Sequence, residues 1–322
     1  MSFFAILFAL LIEQARPMGR GNWVHAGMRS WILWGSRNMD AGQTHLALLT
    51  WGVAVGGPVL LALAVHWLLV WTLGWTLAVL WNVLILYFTL GFRQFSHHYT
   101  GIRDALDAGD EDRARELLAQ WQQVEVGDLP RREVLRHVIE YSVLAAHRHV
   151  FGVLAWYSVC AALGLGPAGA VLFRLSEFAP RYWRYKSRTQ QQVASPALQR
   201  LAEAAWHVID WLPSRMTALA FAVTGSFEDA IDGWRNHSQR FPEDNDGVIL
   251  AATAGAINVR LGGASLGPES DDEQGVQPGT DGTTPGREPE LAHMRVIVGL
   301  VWRTVILWMV ILALMTLARL LG

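Results

Sequence analysis

The sequence predicts an all-α, polytopic integral membrane protein with about three to five transmembrane or re-entrant helices and cytoplasmic helical segments. First, no Asp, Glu, Lys or Arg occurs from Leu46 to Phe92, a stretch about twice the 20 or so residues that one span needs. Second, only 17% of residues are charged, against roughly a quarter in soluble chains. Third, the chain has 16 Trp, which membrane interfaces enrich. A long buried helix of a soluble protein is the disfavoured alternative.

The first 92 residues predict a short helix, a loop and a transmembrane hairpin. Residues 1–13 are apolar but lack the basic start and small-residue cleavage site of a signal peptide, so we expect a retained short or interfacial helix. We expect the arginines that follow to lie in a loop; they are Arg16, Arg20, Arg29 and Arg37. Residues 46–92 predict two helical crossings with a turn at Leu73-Gly74, because hydrocarbon leaves backbone amides only internal partners.

Residues 93–149 predict a cytoplasmic helical region. Gly109-Asp110 separates two helical patterns, and Asp128 with Pro130 marks the start of a third. Residues 150–174 are apolar but broken by glycines and a proline, so each piece is too short to cross alone. One kinked span and a re-entrant pair of half-helices both remain open. We favour re-entry, because it keeps every Arg-rich segment on the cytoplasmic face.

Residues 175–261 predict a cytoplasmic or interfacial helical region. Pro213 is expected to interrupt a helix and to leave freed backbone groups beside Asp210 and Arg215. The apolar piece Met216–Val223 is either a buried or a re-entrant segment.

The last part of the chain predicts a close-packed helix, a linker and a final span. The segment Ala254–Gly263 predicts a small-faced helix that ends at a double glycine, with Arg260 in its last turn. Residues 262–292 are rich in Gly, Pro, Ser, Thr, Asp and Glu and predict a flexible linker. Residues 296–318 predict a transmembrane helix in which Arg303 reaches the interface.

Charge and residue types exclude several functions. The net charge of −2 argues against a nucleic-acid partner. The single cysteine, Cys160, excludes an intramolecular disulfide and a Cys-rich zinc site, and we expect it to be a small core residue. Eleven histidines occur, but the adjacent pair His97-His98 points about 100° apart on a helix, and His147 and His149 also point in different directions, so we predict no metal site. We expect His66, which lies mid-span, to be a neutral imidazole bonded to a neighbouring helix, although an intramembrane ionisable group is also a functional candidate.

The candidate ligand-binding residues lie where polar helices are predicted to meet the broken apolar segments. One group comprises Arg93, His97, His98 and Arg103. A second group comprises Glu140, Asp210, Arg215 and Arg260. No catalytic residue is assigned, and each candidate has the alternative role of an interfacial anchor or a packing ion pair.

Several of these segments resemble the superfamily that holds the CobD/CbiB cobalamin-biosynthesis membrane proteins and the AmpE proteins linked to β-lactamase induction. The resemblance covers nearly the whole chain. It rests on the start with Glu13, the Ala105–Asp110 helix hairpin, the Arg136 to Glu140 helix, the Trp156 to Arg174 segment, Pro213-x-Arg215 and the Ala254–Gly263 motif.

Departures from the cobalamin enzymes place the chain nearer the AmpE-like branch. The Asn- and Asp-rich pattern after the Glu that matches Glu140 is absent. The Thr-Leu-Asp segment is replaced at Leu175–Phe178, and an Asp-Asp pair is replaced by Trp206-His207. The run from His207 to Arg215 resembles the AmpE-like pattern. Asp246 and the glycine motif instead resemble the cobalamin branch, which adds Asp246 to the candidate ligand-binding residues.

The resemblance implies two functions. The first, which the residues favour, is a non-catalytic, AmpE-like protein of the bacterial inner membrane that binds a membrane or cytoplasmic protein partner or a small ligand and serves envelope signalling. The second is an amide-forming synthase that joins aminopropanol or its phosphate to adenosylcobyric acid. The first needs no cofactor; the second implies ATP, Mg²⁺ and a corrinoid ligand. Both make the lipid bilayer a partner.

Overall fold

The computed structural model describes residues 2–16, 23–122, 126–189, 194–263 and 282–321, without the side chains of Ser2, 92–97 and 319–320. These ranges contain fourteen α-helices and no β-strand, which confirms the all-α class. The helices are α1 (Ser2–Ala15), α2 (Trp23–Met39), α3 (Thr44–Trp51), α4 (Gly57–Thr72), α5 (Trp75–Thr89), α6 (Phe92–Asp107), α7 (Glu111–Gln122), α8 (Arg131–Ala146), α9 (Gly152–Ala162), α10 (Ala168–Thr189), α11 (Pro196–Thr224), α12 (Phe227–His237), α13 (Asp244–Ile257) and α14 (Leu291–Leu321).

The helices belong to two compact units. Unit 1 contains residues 1–92, 148–213 and 312–322, and unit 2 contains residues 93–147 and 214–311. The packed core of unit 1 comes from α2, α3, α4, α10 and α11, with Trp183 fully buried within it. In unit 2, small side chains of α11, α12 and α13 pack together around Ala252 and Ala256.

The charge-free stretch forms two helical arms. The first runs from Thr44 to Thr72 through one π-helical turn, Gly52–Gly56, and the second is α5. Gly74 joins them with φ 83°, a conformation that glycine adopts without steric cost. Thr44–Thr72 and Leu291–Ala318 are the two described helices that are long and apolar enough to cross a membrane. The second arm ends at Thr89, and Phe92, predicted to end the hairpin, instead begins α6.

The predicted Arg-bearing loop is wrong for Arg29 and Arg37, which lie in helix α2. Arg16 directly follows α1, and Arg20 lies outside the described residues. A tertiary contact stabilises this helix. Pro58 has no N–H, so it leaves the carbonyl of Ala54 without its usual helical donor. The indole Nε1 of Trp31 in α2 donates to that carbonyl at 3.1 Å.

Residues 152–189 form a helical hairpin. A Cβ built at Gly169 in α10 would lie 2.1 Å from the carbonyl oxygen of Trp156 in α9, and one at Gly152 would strike the ring of Phe173. Because a residue early in α9 meets one later in α10, and the reverse, these two contacts show that the helices run antiparallel. The turn uses Gly164 (φ 77°) and Gly166 (φ 55°). Of the two alternatives, this hairpin favours the pair of half-helices over one kinked span. Whether the hairpin enters a bilayer stays a prediction.

Pro213 does not interrupt a helix, contrary to the prediction, because α11 continues on both sides of it. The missing N–H of Pro213 frees the carbonyl of Ile209, and Trp156 Nε1 donates to that carbonyl at 2.9 Å. The helix therefore keeps its course because a side chain satisfies the freed backbone group. The apolar piece 216–223 is part of this same helix.

Helices α12 and α13 of unit 2 pack through glycine. A Cβ at Gly255 would lie 2.0 Å from the Asp229 carbonyl oxygen, and one at Gly233 would lie 2.5 Å from that of Ala251. The predicted double-glycine stop is wrong, because α13 ends at Ile257 and is capped by Asn258, which is left-handed with φ 53°. Arg260 therefore lies beyond the last turn, where its N–H donates to the carbonyl of Arg287.

The predicted linker is wrong at both ends, while residues 264–281 lie outside the described residues. The Gly263 N–H donates to the Gly282 carbonyl at 3.1 Å, and that of Thr284 donates to the Leu261 carbonyl at 2.7 Å. Thr284 is buried. Helix α14 begins at Leu291, inside the predicted linker, and carries an exposed Arg303.

Candidate functional site

A buried polar cluster in unit 2 surrounds Glu140, one of the predicted ligand-binding residues. Arg136 lies one turn earlier on α8 and donates from Nη1 to Glu140 Oε1 at 3.2 Å. Its Nε donates to Glu133 Oε2 at 2.9 Å. The backbone N–H of Gly262 donates to Glu140 Oε1 at 2.7 Å. The carboxylate thus joins its own helix to a segment 122 residues away in sequence.

Burial dominates the electrostatics of this cluster. It raises the pKa of Glu140 against the opposing effects of Arg136 and the Gly262 N–H. Burial, and then the charge of Arg136, lowers the pKa of His137 to about 3. His137 is therefore neutral near pH 7, and its Nε2, 3.0 Å from Arg136 Nη2, accepts a hydrogen bond from that group.

The backbone geometry explains why glycines follow Leu261. Gly262 has φ 90° and Gly263 has φ 99°, values that side chains disfavour. A Cβ at Gly262 would also lie 2.6 Å from the Gly282 carbonyl oxygen. The structure therefore brings together two segments that carry the family resemblance, the Glu140 helix and the glycine motif.

The remaining members of the second predicted group lie elsewhere. Arg215 Nη1 donates to Asn245 Oδ1 at 2.8 Å, beside the partly buried Asp246 in the first turn of α13. Asp210 is buried and belongs to unit 1, whereas Arg215 belongs to unit 2. Five helical residues separate them, a rotation of roughly 140°, so the two side chains leave α11 in different directions. Arg260 is exposed.

Ordinary packing accounts for the described part of the first predicted group. His98 stacks on Trp121 with ring centroids 5.8 Å apart. Arg103 pairs with its neighbour Asp104 at 2.7 Å on an exposed surface, where such pairs stabilise little. The side chains of Arg93 and His97 lie outside the described residues. No common site emerges from the described side chains of this group.

His66 lies at an apolar cavity of about 490 Å³ in unit 1. Its Nδ1 is 3.3 Å from the amide nitrogen of Asn82 on α5. An amide nitrogen only donates, so the imidazole nitrogen accepts, as expected for a neutral ring bonded to a neighbouring helix. Cys160 is buried, as expected for a core residue.

Sequence reasoning missed a buried charge cluster in unit 1. Arg174 Nη1 donates to Glu177 Oε2 at 3.1 Å and to His149 Nδ1 at 2.8 Å. Arg181 pairs with the other oxygen of Glu177, which is 1% exposed. The signal was present in the sequence, because spacings of three and four place these charges on one face of α10. Glu177 also supplies a carboxylate within Leu175–Phe178, the segment that replaces the Thr-Leu-Asp pattern of the cobalamin enzymes.

The described residues do not fit a protein-held Mg²⁺ ion. No three His, Cys, Asp or Glu side chains within them are grouped as a metal ion requires. Glu140 and Glu177, the carboxylates of the two charge clusters, are each engaged by arginine. The carboxylate oxygens of these two clusters are thus committed to ion pairs, although carboxylate oxygens are the ligands that Mg²⁺ prefers.

Comparison with known proteins gives a consistent family. The family model described as CobD/Cbib protein matches residues 6–285. Three similar proteins are each named cobalamin biosynthesis protein CobD. The one from Stutzerimonas stutzeri is 28% identical over 247 residues, 76% of each chain. The one from Chromobacterium violaceum is 30% identical over 195 residues, 59% of this chain and 57% of the relative. The one from Mycobacterium tuberculosis is 38% identical over 109 residues, 31% of this chain and 33% of the relative.

No solved structure matches significantly. The family match spans both units, the Glu140 helix and the Arg174 cluster. The chain therefore belongs to the CobD/CbiB family.

Proposed function

We propose that this chain acts in cobalamin biosynthesis as an amide-forming synthase of the bacterial inner membrane, joining aminopropanol or its phosphate to adenosylcobyric acid. The family match over residues 6–285 carries this proposal. The relatives' name, cobalamin biosynthesis protein CobD, supports a role in cobalamin biosynthesis and so favours the second of the two functions that the resemblance implies. They give no support to the AmpE-like signalling role that the residue departures favour.

In this proposal Glu140 is a positioning residue. It holds the Gly262 N–H at 2.7 Å and so fixes the glycine segment beside α8. The resemblance implies ATP and Mg²⁺, but the described residues offer no carboxylate set for the metal ion. We therefore assign these residues to holding the protein's own segments and propose no step through Mg²⁺.

Complementation tests the function. A cobalamin-auxotrophic strain that lacks its own synthase should grow without added cobinamide when it expresses this chain in its membrane. Growth only with cobinamide, despite verified membrane expression, would contradict the synthase proposal and leave the signalling role standing.

Variants of Glu140 in the same strain test the positioning role. Glu140→Gln keeps an oxygen that accepts from Gly262, so we expect it to retain growth, whereas Glu140→Leu should lose it. Glu116→Leu, which alters an exposed ion pair, is the matched control. Loss of growth in Glu140→Gln with normal expression would mean that the ionised carboxylate, and not the hydrogen bond, is required.

A further inference from the structure

A second cavity of about 270 Å³ lies within unit 1, between α2, α4, α5 and α10. Its wall is mostly apolar and includes Met28, Trp31 and Phe88. Its polar side chains are His25 from α2, Arg174 from α10 and Thr89 from α5, whose hydroxyl donates to a carbonyl of its own helix. The cavity is therefore suited to a ligand with an apolar body and a polar group at one end.

Arg174 is held rigidly in this wall and keeps hydrogen-bond donors that its protein contacts do not use. It is 8% exposed, and Glu177 and His149 hold its orientation. Both of those contacts use Nη1, although a guanidinium has five N–H donors. Among the described residues, Nε and Nη2 of Arg174 have no hydrogen-bond partner.

The charge around the cavity is positive. Two guanidiniums, Arg174 and Arg181, share the single carboxylate of Glu177. Burial and then the charge of Arg174 lower the pKa of both His25 and His149, which keeps these rings neutral near pH 7. His25 Nδ1 is buried and has no hydrogen-bond partner in the described part of the chain. An anion in the cavity would offset the excess charge and give the unused donors a partner.

We propose that this cavity binds a phosphate group carried on a short apolar body, with Arg174 as its anchor. The planar fork of a guanidinium matches two oxygens of a phosphate at once. The apolar wall accommodates the attached chain, and His25 contributes a polar contact. The phosphate comes from a small phosphate ester or from a lipid headgroup, two sources with the same chemistry. The small-ester arm rests in part on the proposed function, whose substrate includes a phosphate ester, but the binding test below requires no synthase turnover and so can fail independently of complementation.

Binding to the purified full chain in detergent tests the proposal. The probes are butyl phosphate for the small ester and dihexanoyl phosphatidic acid for the lipid, with butanol as the uncharged control. Isothermal titration calorimetry should detect at least one phosphate probe and no binding of butanol. Binding of butyl phosphate supports the free ester as a source, and binding of the lipid alone supports a headgroup. Binding of neither probe, or equal binding of butanol, overturns the proposal.

Two variants locate the site. Gly27 lines the cavity and a Cβ there meets nothing within 4 Å, so Gly27→Leu should fill cavity space without disturbing the fold. Gly299→Leu, at a position with the same open surroundings on α14, is the matched control. Removing both charges in Arg174→Gln/Glu177→Gln avoids a buried unpaired carboxylate.

The affinities of these variants distinguish binding in the cavity from binding elsewhere on the protein surface. The double variant should weaken phosphate binding on the order of 10- to 100-fold, the scale of a lost charge-assisted hydrogen bond. Gly27→Leu should also weaken binding, because its side chain occupies cavity space, while Gly299→Leu binds as the wild type does. Unfolding temperatures of all variants are measured in parallel. Wild-type affinity in Gly27→Leu and in the double variant would overturn the proposal.

Discussion

The two units each bury a glutamate, and they hold it in different ways. In unit 1 the partners of Glu177 are two arginines on its own helix, α10. In unit 2, Glu140 pairs with one arginine on α8 and also accepts from the backbone of Gly262. Glu177 therefore neutralises local charge, whereas Glu140 connects two distant parts of the chain. The same residue type serves charge balance in one unit and chain assembly in the other.

The largest expected effect comes from removing the charge-balancing glutamate. Glu177→Leu leaves Arg174 buried without its carboxylate, so we expect a loss of about 3–5 kcal/mol in unfolding free energy. Denaturation in detergent, followed by circular dichroism, measures this loss. Glu203→Leu breaks the partly exposed pair with Arg184 and should cost no more than about 1 kcal/mol. Similar losses in both variants would show that burial of Glu177 does not set its contribution.

The close helix packing of unit 2 gives the next effect. Gly255→Ala places a Cβ against the Asp229 carbonyl, so we expect a loss of about 1–3 kcal/mol from overpacking. Gly299→Ala meets open space on α14 and should be neutral or stabilising by roughly 0.5–1 kcal/mol through helix propensity. Thermal denaturation of the two variants side by side measures the difference. A neutral Gly255→Ala would contradict the glycine-mediated contact.

A pH series sharpens the comparison at Glu140. Its pKa in the folded protein is raised above the ordinary 4.5, so the folded state binds the proton more tightly than the unfolded state. Stability from this group is therefore present at low pH and falls as pH rises from about 4.5 through the folded pKa. Glu140→Gln removes this slope, so its stability relative to the wild type should rise over that window, by about 1.4 kcal/mol for each pH unit that separates the two pKa values. Parallel stability curves would contradict the raised pKa.

The smallest expected effect tests the indole contact at Pro213. Trp156→Phe removes the donor to the Ile209 carbonyl and should cost about 1 kcal/mol. In a Pro213→Ala background, the restored N–H supplies that carbonyl from within the helix, so the same change should cost less. Unfolding free energies of the four proteins form the double-mutant cycle. A cost that is independent of residue 213 would mean that the indole acts only through packing.

The elements that the sequence predicts well depend on strong local signals. The absence of charge from Leu46 to Phe92 and the glycine at 74 determine two apolar arms and their turn. Helix α2 is harder to predict because Gly27 and Gly35 weaken the helical pattern, and its stability includes a tertiary hydrogen bond from Trp31. The continuity of α11 through Pro213 is equally hard to predict. The sequence does not show which side chain donates to the Ile209 carbonyl that the proline leaves free.

The candidate site can be predicted only in part, for the same physical reason. Glu140 can be singled out from its helix, but its partner Gly262 is distant in sequence. The arginine–glutamate spacing of α10 is local and readable, whereas the contact of Arg174 with His149 requires the α9–α10 hairpin. Short-range spacing therefore predicts pairs within one helix, and only the fold reveals which distant groups complete them.

The paired ends at Gly263 and Gly282 have a practical consequence for structure determination. The N–H of Gly263 donates to the carbonyl of Gly282, so the chain leaves and re-enters unit 2 at adjacent points. Ends this close can be joined by an inserted domain whose own termini lie near each other, because neither end has to move. A rigid fiducial domain grafted between these glycines would enlarge the particle for electron cryomicroscopy and leave the Glu140 cluster intact.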